Sequence, residues 1–342
     1  MNDNDGIRAR NALNCLLCGE EGTLLYSGLR DRLFGVPGKW QFMQCPKCQL
    51  VWINPQPISE DIGKLYFQYF THQNLDSPKR ALAGLRKSVS ASILQSSFGY
   101  QMIGSNKMLG SVLSRINPIR DIVGGSVRWL EASERGRLLD VGCGNGSFLV
   151  QMKQLGWEVT GIEPDGEAAS FSRKNYGLDV FKGPLEEAKY PNEHFDTITM
   201  NHVIEHVLDP ISLLKECRRI LRPGGKLIVI TPNIDSLGQR IFREAWLHWD
   251  PPRHLFLFSS ETLGETARRA GLVNQELRTT MKGARSMWAA SSLIRRDGVL
   301  PGGSLKGTSL WMKMQELGFL IREYGFCGPQ EKGEEIVMMA WR

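Results

Sequence analysis

Arg137-Leu-Leu-Asp-Val-Gly-Cys-Gly-Asn-Gly-Ser-Phe-Leu149 decides how this 342-residue chain is read. The apolar run around Asp140 predicts a buried strand, Gly142, Gly144 and Gly146 a tight turn, and Ser147 and Phe148 the opening of a helix. Glycines at alternate positions let the main chain pass close beneath a ligand, and the start of the helix offers unpaired N–H groups. Trp157-Glu-Val-Thr-Gly-Ile-Glu163 then predicts a second strand, ending on an acidic residue suited to accept both hydroxyls of a ribose.

Further apolar runs at 195–200 and 227–231 join those at 138–141 and 158–162, alternating with helical segments. This predicts an α/β fold, a Rossmann-like parallel sheet with helices on both faces. The turn reads G-C-G-N-G, not the wider G-x-G-x-x-G that accommodates a pyrophosphate. With Asp140 on its strand it suits a cofactor that carries amino and carboxylate groups and no phosphate. An NAD-type oxidoreductase and a non-catalytic relic of the fold are the alternatives at this point.

The chain from Leu139 onward resembles the class I S-adenosylmethionine-dependent methyltransferases over about 140 residues. The resemblance is carried by Leu139-Asp-Val-Gly-Cys-Gly-Asn-Gly146, Gly161-Ile-Glu-Pro-Asp165, Gly183-Pro-Leu-Glu-Glu187, Phe195 to Val207 and Ile220 to Pro232. It implies a seven-stranded sheet, with Leu272–Thr280 and Glu335–Trp341 as an antiparallel edge. It also implies that Gly142, Gly144 and Gly146 cradle the methionine part and that Asp140 orders the loop. Glu163 would hold the ribose, Leu185 and Glu186 would border the adenine, and Asn201 at the end of the fourth strand would contribute to the same cofactor site.

Seven cysteines fall at 15, 18, 45, 48, 143, 217 and 327. Cys15, Cys18, Cys45 and Cys48 make two C-x-x-C pairs, a spacing that places four thiolates around one structural Zn²⁺. Short strands are expected at Thr23–Tyr26 and Lys39–Met43, and the whole resembles a zinc ribbon. Disulfides or a thioredoxin-type redox pair are the other readings of these thiols. Cys143, Cys217 and Cys327 read as ordinary buried residues. The domain reading is a ribbon over 1–57, a helical linker or cover over 58–135 and a methyltransferase domain over 136–342, with a helical insertion at about 283–330 that holds Trp288 and Trp311. In the linker, Ser59 is expected to cap a helix, Phe67, Tyr69 and Phe70 to follow it, and Arg120–Glu131 to form another helix.

Methyl transfer to a hydroxyl, carbon or protonated amine requires removal of a proton. His202 and His206 are expected on one face of a short helix, where His206 orients the loop or acts as a base. Trp246-Leu-His-Trp-Asp-Pro-Pro-Arg-His-Leu-Phe-Leu-Phe-Ser259 mixes polar groups with aromatics, and a capped helix is expected after Ser259. His254 or His248 is the candidate base and Arg253 the candidate anchor for an anionic group of a ring-shaped or sugar acceptor, with His202 as a further catalytic candidate. The Cys₄ module, the core and the loop from Asp250 to Ser259 together look like bacterial methyltransferases of sugar, polysaccharide and small-metabolite pathways.

The net charge of +6 is unevenly spread: residues 1–60 are neutral, 61–136 carry five excess basic groups, 137–235 three excess acidic groups and 236–342 four excess basic groups. No segment has the density of a nucleic-acid tail. Even so, an RNA methyltransferase using the ribbon and basic flanks is one alternative, and a non-catalytic cofactor-binding scaffold another. The polar start and the lack of a long apolar run predict a cytoplasmic protein with no membrane span.

Overall fold

The computed structural model describes residues 2–4, 6–66, 80–300, 305, 314, 318 and 332–342. Six strands occupy its first sixty residues: β1 (Asn2–Asn4), β2 (Ile7–Arg10), β3 (Thr23–Leu29), β4 (Trp40–Gln44), β5 (Val51–Asn54) and β6 (Gln56–Pro57). The helices α1 (Ser59–Ile62), α2 (Arg80–Phe98), α3 (Lys107–Leu113) and α4 (Asn117–Gly124) follow. Ser59 is the first residue of α1 and does not cap it; Ile58 takes the cap position without a side-chain bond. The helix expected to reach Glu131 stops at the Gly124-Gly125 pair and passes into a 3-10 turn, Gly125–Val127. Phe67, Tyr69, Phe70, Trp311 and Cys327 lie outside the described residues.

The sequence from the glycine turn onward forms β7 (Arg137–Val141), α5 (Ser147–Gln154), β8 (Glu158–Glu163), α6 (Gly166–Tyr176), β9 (Asp179–Lys182), β10 (Phe195–Asn201), α7 (Pro210–Ile220) and β11 (Leu221–Pro232). After α8 (Leu237–Phe242) come β12 (Phe256–Leu257), α9 (Ser260–Arg269), β13 (Asn274–Thr280), α10 (Ala284–Asp297) and β14 (Glu335–Trp341). One sheet holds seven strands in the order β13-β14-β11-β10-β7-β8-β9. Leu138 pairs in parallel with Val159 on one side and Thr197 on the other. Leu138, Leu139, Ile198 and Met200 are wholly buried, as expected of strands covered on both faces. β9, which the sequence does not announce, is four residues long with Val180 as its one buried side chain.

Packing divides the described residues into two compact units, one drawn from 1–70, 201–218 and 229–340, the other from 71–200, 219–228 and 341–342. In the first unit the cysteine segment does not stand alone. Its antiparallel strands β3, β4 and β5 gain β12 as a fourth, with Phe256 opposite Trp52 and Leu257 opposite Val51. Ile53 N–H donates to the Leu255 carbonyl over 3.0 Å. Trp249 packs edge-on against Tyr26, with ring centroids 4.9 Å apart, and tilts against Phe42 at 4.8 Å.

A buried ion cluster joins the same segments. Arg253 is 0% exposed, and its two terminal nitrogens each lie 2.7 Å from an oxygen of Asp31. Asp250 accepts from its Nε at 3.0 Å and also from Nη2. Asp31 in turn accepts from the backbone N–H groups of Leu33, Phe34 and Val36, so the loop after β3 is wrapped around this carboxylate. Burial opposes the charge on Asp31, but the Arg253 guanidinium and those N–H groups keep its carboxyl below the usual range. Removing one partner of such a pair strands a buried charge. Asp31→Ala is therefore expected to lower folding stability by about 3–5 kcal/mol, read from the denaturant midpoint; a change within about 0.5 kcal/mol, the surface-substitution range, would show that the pair is not needed.

Candidate functional site

In the second unit, Gly142, Gly144 and Gly146 all have positive φ between β7 and α5. The N–H groups of Gly142 and Cys143 both donate to the Ile162 carbonyl, so the loop is pinned to the end of β8. Glu163 fixes its crest: Oε2 accepts from Gly144 N–H at 2.7 Å and Oε1 from Asp165 N–H at 2.9 Å. Burial pushes the Glu163 carboxyl up, against the pull of those N–H groups. A side chain built at Gly144 meets nothing within 4 Å, whereas one at Gly146 would fall 2.6 Å from Leu178 Cδ1 and 2.8 Å from Ser172 Oγ. The loop is thus open above Gly144 and filled below Gly146.

Asp140 is placed differently from its expected role. It is 0% exposed and binds Arg128, from the turn after α4, together with Thr199 of β10, whose Oγ1 donates to it at 2.9 Å. The same guanidinium lies 3.7 Å from the centre of the Phe148 ring. Asp140 thus pairs with Arg128 and Thr199 instead of the glycine loop. Leu185 is buried and Glu186 exposed in the 3-10 turn Leu185–Ala188. Asn201, the last residue of β10, is half-buried.

In the first unit four histidines from two distant stretches meet. His202 and His248 rings stack with centroids 6.0 Å apart, His248 and His254 at 6.3 Å, and His206 meets His254 edge-on at 4.7 Å. His202 and His206 do not share a helix face: His202 has a left-handed backbone, φ 54°, and Ile204–His206 is a 3-10 turn. His202 lies between two carboxylates, with Nδ1 3.1 Å from Glu205 and Nε2 2.9 Å from Glu335. Burial would lower its pKa, but the two acids outweigh that and push it to about 10. His202 is therefore an imidazolium at neutral pH.

Two of the other imidazoles are held by carbonyls. His254 Nδ1 is 2.7 Å from the His248 carbonyl, and His206 Nδ1 is 3.0 Å from the Arg253 carbonyl and 3.0 Å from Tyr66 Oη. A carbonyl can only accept, which places a proton on Nδ1 of both rings. Burial, then the neighbouring His254, lowers the pKa of His206 to about 4, and burial lowers that of His248 well below its ordinary value. His254 Nε2 stands 4.0 Å from Asp250 Oδ2. Arg253, expected to reach an anionic group, is instead spent on Asp31 and Asp250 inside the protein.

Two sets of side chains are compact enough to surround a metal ion. The sulfurs of Cys15 and Cys48 are 3.4 Å apart, those of Cys18 and Cys45 3.3 Å, and those of Cys18 and Cys48 3.8 Å. Four sulfurs about 2.3 Å from one zinc would be roughly 3.8 Å apart. None of the four is in a disulfide. Glu205, His206 and His254 form the second set, with one donor atom from each within 4.8 Å of the others.

Residues 125–277 match the family model described as a methyltransferase domain. Over these residues, less than half of the chain, the sequence is similar to a methyltransferase domain. Among curated proteins, it is 36% identical over 128 residues to the ubiquinone biosynthesis O-methyltransferase of Caulobacter sp. strain K31, covering 34% of this chain and 50% of that protein. It is 37% identical over 130 residues to the enzyme of the same name from Pseudomonas entomophila, covering 35% and 56%. The chain thus spans about half the length of the curated relatives it matches. A solved methyltransferase structure from Archaeoglobus fulgidus is similar at 17% identity and a TM-score of 0.41, covering 73% of this chain and 98% of that one.

The sequence does not announce Arg128, Thr199, Glu205, Tyr66 and Asp31 as partners of these sites. The Gly124-Gly125 pair was a signal that the helix would break before Arg128. The spacing His202-x-x-Glu205 hinted at a local imidazole–carboxylate pair. The two loop glycines allow a direct test. Gly146→Ala is expected to destabilise the fold by about 1–3 kcal/mol through overpacking, read by thermal unfolding. Gly144→Ala, with open space above it, is expected to cost only about 1–2 kcal/mol for its backbone and to lose S-adenosylmethionine binding in calorimetry. Equal cofactor affinity in Gly144→Ala and wild type would refute the loop as the cofactor cradle.

Proposed function

We propose that the chain transfers a methyl group from S-adenosylmethionine to a hydroxyl of a small acceptor that carries an aromatic or sugar ring, with His254 as general base. The observation that carries the reading is the orientation of the His254 imidazole, whose Nδ1 is held by the His248 carbonyl at 2.7 Å so that Nε2 is the nitrogen left to exchange a proton. The names of the curated relatives, O-methyltransferases of ubiquinone biosynthesis, favour a hydroxyl as the acceptor atom.

The residues fit the cofactor. The open space above Gly144 leaves room for the methionine part, and the buried Glu163 carboxylate offers acceptors for the ribose hydroxyls. Leu185 supplies an apolar surface, and Glu186 adds a polar group. When bound, S-adenosylmethionine supplies an electrophilic methyl on a positively charged sulfur. His254 takes the hydroxyl proton at Nε2, and the resulting imidazolium faces Asp250 at 4.0 Å. His248 holds the ring orientation through its carbonyl.

The four cysteines are proposed to hold a structural Zn²⁺ that folds the first fifty residues and leaves no open position for chemistry. His254→Ala is expected to lower kcat by about 10²–10⁴-fold, with unchanged S-adenosylmethionine affinity and methylated product measured by mass spectrometry. An unaltered kcat would overturn the base assignment. In the same preparation, elemental analysis is expected to find one zinc per chain, and zinc-free folded protein would contradict the metal reading.

A further inference from the structure

The helices α2, α3 and α4 of the second unit carry a feature that methyl transfer does not use. The hairpin of α2 and α3 is polar where the helices meet and apolar where α3 faces out. Ser92 is wholly buried and its Oγ accepts from Asn106 N–H at 2.9 Å. Ser114 Oγ lies 2.9 Å from Ser96 Oγ and accepts from Ser97 Oγ at 2.7 Å. A side chain on Gly110 would fall 2.0 Å from the Ser92 carbonyl, so the helices approach as closely as a glycine permits. Small residues at four-residue spacing, Ser88, Ser92 and Ser96 on one helix and Gly110 and Ser114 on the other, build this contact.

That packing turns the large apolar side chains outward. At about 100° per residue, Met108 and Val112 lie opposite Gly110 on α3, with Leu109 on the flank between. Met108 is 83% exposed, Val112 62%, and Ile103 in the preceding loop fully so. Met102, Leu109, Ile116 and Ile122 are exposed as well; seven of the fourteen exposed large hydrophobics among the described residues fall between 102 and 122. Lys87, Lys107, Arg115 and Arg120 are exposed around them, and Asp121, half-buried, is the single acid between 99 and 124. Among the described residues, no helix is long and apolar enough to cross a membrane.

We propose that the 102–122 face docks on the surface of an anionic lipid bilayer, inserting Ile103, Met108 and Val112 among the acyl chains while the four basic groups meet the headgroups. A patch of this kind draws on both terms that hold interfacial helices: buried apolar area and attraction to negative lipids. Each basic group near such a surface contributes about fivefold in affinity, so the charges and the apolar tips are separately measurable.

The test is sedimentation of the full-length protein with vesicles of phosphatidylcholine alone or with 30%, as an order-of-magnitude choice, phosphatidylglycerol. Wild type is expected to bind the mixed vesicles at least about tenfold more tightly than the neutral ones, and less tightly as salt rises. Replacement of Ile103, Met108 and Val112 together by Ser is expected to lower binding at least about tenfold, as is replacement of Lys107, Arg115 and Arg120 together by Gln. Unchanged thermal unfolding and cofactor affinity in both variants would separate a docking defect from a folding defect. Wild type that ignores mixed vesicles, or a serine variant that binds them equally, would overturn the proposal. So would a wild-type dimer that the serine variant abolishes, which would assign the face to a second copy of the chain.

Discussion

Arg253 is a guanidinium with no access to water, and a charge in that position must be paired on every side. Asp31 and Asp250 pair it, and through them residues 222 positions apart in the chain become neighbours. The histidine loop depends on this knot. Arg253 presents its own carbonyl to His206, the next residue is His254, and Leu255 N–H donates to the Glu205 carbonyl over 2.7 Å. At the next residue, Phe256, the chain enters β12 and completes the sheet of the cysteine segment. One ion cluster thus sets the position of two imidazoles and ties them to a module that itself carries no acid or base for the reaction.

The histidines illustrate how burial divides one residue type into several chemical roles. His202, flanked by two carboxylates, is held charged; His206 and His248, in the same cluster, are pushed towards the neutral form by desolvation and by neighbouring histidines, His254 for both and His202 for His248. Rings that sequence offers as interchangeable bases are therefore sorted into a fixed cation and neutral acceptors. The sorting is done by Glu205 and Glu335 together with the main-chain carbonyls of Arg253 and His248.

What was legible in the sequence was local. The glycine turn, the strand ends at Val141 and Glu163, the four thiols and the Ser259 cap each follow from constraints on a few consecutive residues, and each is where the residues put it. What was not legible was long-range pairing. Arg253 read as a hand extended to a ligand because its partner lies in a loop more than two hundred residues earlier, where Asp31 looks like any surface acid. Asp140 read as a support of the glycine loop because Arg128 was hidden in a helix that in fact ends at Gly124. The 3-10 turn at Ile204–His206 replaced an expected helix, since the left-handed His202 aims its ring at Glu335, 133 residues away.

The central claim is that the cysteine-segment sheet and the histidine loop are one cooperative piece. Native-state hydrogen exchange tests it residue by residue, because groups that open together share one protection level. The account predicts that the amides of Ile53, Arg253, His254 and Leu255 exchange with a common free energy in wild type and fall together in Asp31→Ala. Loop amides that exchange at least about 100-fold faster than Ile53 in wild type, a gap of about 3 kcal/mol, would contradict it.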